Sequence, residues 1–166
     1  MPASGKSYLG NYASKKTGYA FYDLDAEIEK ELNTTIPEFF EQFGELKFRQ
    51  TEHELLIKIT ENCTSTTILA TGGGTPCFHE NMEYMNLMGV TVFLDADIDI
   101  LSERIEHTPQ KRPLFRELNG EDLKKELKIL YKIRRPHYKK SKVYLPSHDL
   151  EDPDLFTKRL HLSTIE

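Results

Sequence analysis

The chain has 166 residues, 38% hydrophobic and 30% charged, a length that sustains one core without disulfide or metal support. Its formal net charge of −5 argues against a general nucleic-acid binder, which carries a basic face. Two cysteines with no apolar signal sequence before them fit a reducing cytoplasm, and apolar runs such as 68–70 and 90–94 are far too short to span a bilayer. The expectation is a single cytoplasmic domain, monomeric, with neither nucleic acid nor membrane as partner.

Ser4-Gly5-Lys6-Ser7 opens the chain and has the ending of a phosphate-binding loop, G-x-x-x-x-G-K-[ST]. None of the four residues before Gly5 supplies the pattern's first glycine or a leading strand. The chain is therefore expected to begin inside the loop, with a longer natural gene product and a frayed start. A helix is predicted over 7–16, ending at Gly18, and a short strand over 20–24. Amphipathic spacing predicts helices over 26–32 and 36–43, and a longer one over 48–60 with Leu55, Leu56 and Ile59 on one face.

Residues 67–71 read as a buried strand that runs into Gly72-Gly73-Gly74. A helix over 80–87 and a strand over 90–94 follow. Helices over 97–106 and 121–140 flank a polar, proline-containing stretch, 107–120. A strand over 143–145 and a helix over 153–162 complete the chain. Strands alternating with helices predict an α/β fold with a parallel sheet covered on both faces. Ligands bind such sheets beyond the carboxyl ends of the strands.

The candidate chemistry falls at those ends. Gly5-Lys6-Ser7 at a helix start offers backbone N–H groups to phosphate, a mobile charge on Lys6 and a hydroxyl on Ser7 for magnesium. On an extended strand end, Asp23 and Asp25 would share one side, roughly 7 Å apart at Cα, for metal and proton work; the competing reading is a polar strand end that caps the next helix, with Asp25 able to cap one starting at Ala26. Arg49 at a helix start opposes the dipole, which points to a carboxylate ligand, with Glu52 able to steady the guanidinium; a plain intrahelical salt bridge is the competing reading. Gly72 to Gly74 after a strand imply close backbone approach or simply a flexible loop. Arg112, in 107–120, could close over a transferred phosphate. The six histidines and two cysteines lack metal-ligand spacing and receive no chemistry.

Taken together, SGKS (4–7), FYDLD (21–25), IPEFFEQFGELKFRQTE (36–52), ATGGG (70–74), RPL (112–114) and RRPHY (134–138) resemble the shikimate kinase family in order and spacing. The resemblance implies a three-layer α/β/α P-loop kinase with a central parallel sheet, five strands in the family and the first missing here. It implies a single kinase domain over 1–166, with a substrate-binding segment near 26–53 and a lid near 107–120. The implied activity is transfer of the ATP γ-phosphate to the 3-hydroxyl of shikimate, with Mg2+, on the route to chorismate and aromatic amino acids.

By the same resemblance, Ala3, Ser4, Gly5, Lys6, Ser7 and Tyr8 line the nucleotide, Ser7 and Asp23 hold magnesium, and Asp25 is the base. Arg49 and Arg134 clamp the shikimate carboxylate, Gly72, Gly73 and Gly74 approach the ring hydroxyls, and Ile36, Phe40 and Phe48 form an apolar wall. Arg112 is the lid arginine, catalytic together with Lys6. Two positions depart from the pattern. Ala3 stands where the family has another loop glycine, and Glu106 where its adenine-stacking arginine is expected, with Arg104 the nearest basic residue. Two alternatives remain open: a gluconate-kinase-like enzyme, which would not need Arg49, Arg134 and the glycine run, and a non-catalytic kinase relative.

Overall fold

Gly5, left-handed at φ 89°, turns the chain into helix α1 (Lys6–Thr17), which a second left-handed glycine, Gly18, ends. The structure, a computed structural model, describes residues 1–107, 115 and 118–165. After α1 come β1 (Ala20–Asp23), α2 (Leu24–Leu32), α3 (Ile36–Glu61), β2 (Thr67–Ala70), α4 (Asn81–Met88) and β3 (Val92–Asp95). Then follow α5 (Ile98–Glu106), α6 (Gly120–Tyr138), β4 (Val143–Pro146) and α7 (Pro153–Ile165).

The two helices expected over 36–43 and 48–60 are both present, running together as α3 with a break at Gly44, which leaves helical geometry at φ 76°, ψ 172°. Two other local expectations are corrected. Asp23 and Asp25 do not share an extended strand end, because β1 stops at Asp23. There the Asp23 carboxylate accepts the backbone N–H of Asp25 (3.1 Å) and caps α2. Nor is the start of the chain frayed: Met1 is only 4% exposed and Ser4 1%. The Met1 backbone lies against Gly73 and its sulfur 3.9 Å from the Tyr138 hydroxyl. Burial against those partners ties the segment down.

The strands form two parallel pairs, β1 with β2 (Ala20 opposite Thr67) and β3 with β4 (Val92 opposite Val143). Alternation along β2 sets the layers, because successive side chains point to opposite faces. Ile68 packs into a core shared by α1, α5, α6 and α7, and Leu69 into one shared by α2, α3 and α4. The result is α/β/α layering. Among the described residues β2 and β3 do not pair. Between them lies a cavity of about 590 Å³, lined by residues 67–71, Val92 and Leu94 and walled by Met82, Met85, Phe156 and Leu160.

Candidate active site

The helix starts and loops that follow the strands bring the chemistry together at one edge of the fold. Where β2 ends, the glycine loop runs between two charged side chains. A Cβ on Gly72 would sit 2.9 Å from Asp25 Oδ1 and 2.9 Å from Glu52 Oε1; one on Gly74 would sit 2.6 Å from Arg49 Nη2. Neither position has room for a side chain, which gives the glycine run a steric reason. A Cβ on Gly73 would lie 3.2 Å from Arg134 Nη1, and the Gly73 carbonyl accepts the Tyr138 hydroxyl at 2.6 Å. One loop therefore touches Asp25, Arg49 and Arg134 in turn.

Arg49 does not lack a partner, contrary to the reading of its place on the helix. Its Nη1 donates to Glu52 (2.8 Å), and both Nε and Nη2 donate to Glu45 (3.2 Å each). Its guanidinium also faces the rings of Phe78 (4.5 Å), Phe48 (5.0 Å) and Phe40 (6.0 Å). Those rings and carboxylates stabilise a cation that is only 8% exposed. Three of its five N–H groups are used by these bonds, which leaves two for an incoming acid. Glu52, Phe40 and Phe48 stand beside Arg49 as expected, and Ile36 joins the same apolar cluster. Phe78 was not legible as a partner.

The phosphate-loop residues gather beside this cluster. Lys6 Nζ donates to the Met1 carbonyl at 3.2 Å, and Met1 is the residue packed on Gly73. The Ser7 hydroxyl donates to the Asp23 carboxylate, so the two side chains form one oxygen-rich pair. Hard oxygen ligands of this type suit magnesium. Among the described residues no group of three His, Cys, Asp or Glu is placed to hold a metal by itself. Ser4 Oγ is buried without a hydrogen-bond partner among them, an orphan polar group at a helix N-terminus that would suit an anion. Tyr8, also expected at the nucleotide, is 65% exposed.

Arg104 Nη1 donates to the Ala3 carbonyl at 3.2 Å and so lies over the loop. Glu106 instead accepts the N–H of Gly120 at 2.6 Å and holds the start of α6. Arg112 and most of 107–120 lie outside the described residues. Cys77, just past the glycine loop, has its thiol pushed up by burial, an effect partly opposed by the positive charges of Arg134 and Arg49. A separate cavity of about 420 Å³ lies beyond β3 and β4, next to Asp95, whose carboxylate accepts the hydroxyls of Tyr131 and Tyr144 at 3.0 Å each. Neither cavity coincides with the Arg49 cluster, although Lys6 lines the larger one.

Comparison with known proteins gives the family. The family model "Shikimate kinase" matches residues 2–162. A shikimate kinase of Phocaeicola vulgatus is 37% identical over 149 residues, 90% of this chain and 84% of that protein. One from Flavobacterium johnsoniae is 40% identical over 121 residues, 72% of this chain and 70% of that protein. Among solved structures, shikimate kinase from Bacteroides thetaiotaomicron superposes with a TM-score of 0.88 at 33% identity, covering 96% of this chain and 91% of its own. Shikimate kinase from Acinetobacter baumannii, in complex with shikimate, gives 0.81 at 30% identity, covering 96% and 86%. The chain belongs to the shikimate kinase family.

Proposed function

We propose that this chain transfers the γ-phosphoryl group of ATP to the 3-hydroxyl of shikimate, as a cytoplasmic monomer. One observation carries the reading: a single glycine loop holds a carboxylate, Asp25, against Gly72 and a guanidinium, Arg49, against Gly74. An acidic, polyhydroxylated ring needs those two groups a few ångströms apart, one for its carboxylate and one for its reacting hydroxyl. Arg134 beside Gly73 supplies the second arm of the carboxylate clamp. Membership of a family that includes a structure in complex with shikimate supports the same substrate here.

In the reaction, a substrate hydroxyl oxygen forms a bond to the γ-phosphorus while the bond to the β–γ bridging oxygen breaks and ADP leaves. Asp25 orients the hydroxyl and takes its proton. Lys6 exchanges the Met1 carbonyl for a phosphate oxygen, and the N-terminus of α1 with Ser4 cradles the rest. Ser7 and Asp23 would hold magnesium, which when bound neutralises charge on the phosphates. Arg104 is the basic side chain on the nucleotide side of the loop, and Arg112 the arginine that completes the closed state. No helix among the described residues is long and apolar enough to cross a membrane.

A coupled ADP-release assay with ATP, magnesium and either shikimate or gluconate tests the reading. ADP release that depends on shikimate and not on gluconate is expected. Release with gluconate alone would favour the other kinase class, and none with either acceptor would favour a non-catalytic relative.

A further inference from the structure

Glu52 and His53 are neighbours on α3, yet both reach the same residue of the glycine loop by different routes. Glu52, whose Oε2 holds Arg49, accepts the Thr75 hydroxyl on Oε1 at 2.6 Å. The Thr75 carbonyl accepts Asn81 Nδ2 at 2.9 Å. Asn81 Oδ1 then remains as an acceptor 2.6 Å from His53 Nδ1, which places the imidazole proton on Nδ1. The loop is thus tied to α3 twice, once through the side chain of Thr75 and once through its backbone. Glu52, Thr75 and Asn81 are at most 1% exposed.

The turn that delivers Asn81 is strained. His79 and Glu80 both adopt left-handed backbone, φ 50° and 55°, which non-glycine residues avoid unless the surroundings hold them there. Three contacts come with that turn. Asn81 is aimed inward at Thr75, the His79 ring lies 5.2 Å from the His53 ring, and Phe78 faces Arg49 at 4.5 Å.

We propose that His53 and Asn81 are positioning residues that fix Arg49 relative to the glycine loop through Thr75 and Glu52, and so set affinity for the substrate carboxylate. This rests on the reading of Arg49 as the carboxylate clamp. Neither residue touches the reacting atoms. Removing the brace leaves a buried Thr75 carbonyl or Asn81 amide unpaired and lets the loop move against α3.

Calorimetric titration of shikimate and, separately, of ATP into the full chain tests the proposal, alongside thermal midpoints. His53→Phe keeps the ring stack and loses the donor; shikimate Kd is expected to rise about tenfold, the scale of one hydrogen bond. ATP Kd should stay within about twofold, since none of the bonds of the brace involves residues 3–8 of the phosphate loop. His53→Asn, which restores a donor near the Nδ1 position, should recover most of the affinity. Asn81→Asp cannot donate to Thr75 and should weaken shikimate at least as much as His53→Phe. Unchanged shikimate Kd in both His53→Phe and Asn81→Asp would overturn the proposal. So would a parallel loss of ATP and shikimate affinity, or His53→Asn as weak as His53→Phe. A wild-type chain that binds ATP but no shikimate would overturn the carboxylate reading itself, and the brace's role with it.

Discussion

Arg49 shows how much one side chain tells and where it stops. A cation at a helix start marked it for an acidic partner, and its neighbours in sequence, Glu52, Phe40 and Phe48, do surround it. Glu45, one turn before, also supplies a carboxylate at 3.2 Å, an i,i+4 pair that helix spacing makes available and that the reading of Arg49 passed over. Arg49→Ala should raise the shikimate KM about tenfold to a hundredfold, the worth of a charge-assisted pair, and leave the ATP KM unchanged. An unchanged shikimate KM would remove Arg49 from the clamp. Asp25→Asn keeps shape and loses the proton acceptor, so kcat should fall about a hundredfold or more with little change in melting temperature; steady-state kinetics beside a thermal melt decides it. Cys77 and Cys63 separate cleanly by burial. The raised Cys77 thiol predicts slow alkylation by iodoacetamide at neutral pH and faster modification of exposed Cys63, read by peptide mass. His53 and Asn81 carried no sequence signal, because their bond joins positions 28 apart and neither belongs to a spaced motif.

At the scale of elements, periodicity located each helix and strand to within a few residues, including the break in α3 at Gly44, and failed where a cap decided the boundary: Asp23 ends β1 by capping α2. The start of α3 falls at Ile36, where the spacing put it, and is a reciprocal cap. Thr35 Oγ accepts the Glu38 N–H, and the Glu38 carboxylate accepts the Thr35 N–H at 3.0 Å and hydroxyl at 2.7 Å. The Thr35 hydroxyl and N–H, then the Thr34 hydroxyl, hold the Glu38 carboxyl below its usual range. A lowered folded-state pKa stabilises above the unfolded value, near 4.3, and that contribution is lost as pH falls through the folded value. Glu38 is fully exposed, so the effect is small and weakened by salt. Thr35→Ala should lower the melting temperature by a few degrees at pH 7, with a smaller difference from wild type at acid pH. An equal difference at both pH values would mean that Glu38 does not take part.

Across the whole molecule, alternation of strands and helices was enough to give the α/β/α layers, and six short motifs were enough to give the family. The division of the strands into two pairs was not visible as such in the sequence, because pairing depends on which edges meet in space. The 590 Å³ slot between β2 and β3 presents two strand edges that pair with no other strand among the described residues, and unpaired buried backbone is costly. An extended apolar segment of roughly eight residues added before Met1 is long enough for one strand. Met1 lies against Gly73, beyond the end of β2, so a segment leading into it through the slot would run parallel to both edges. Such a chain should melt several degrees higher and bind ATP more tightly; no change in either would show the slot to be closed to a strand. The central claim, phosphoryl transfer to a ring hydroxyl next to a clamped carboxylate, is tested most directly by the phosphorus NMR spectrum of the chain incubated with ATP, magnesium and shikimate. A new phosphomonoester resonance coupled to the proton on carbon 3 of shikimate, absent with Asp25→Asn over the same interval, is the predicted result. ADP accompanied only by inorganic phosphate, or no turnover at all, would contradict it.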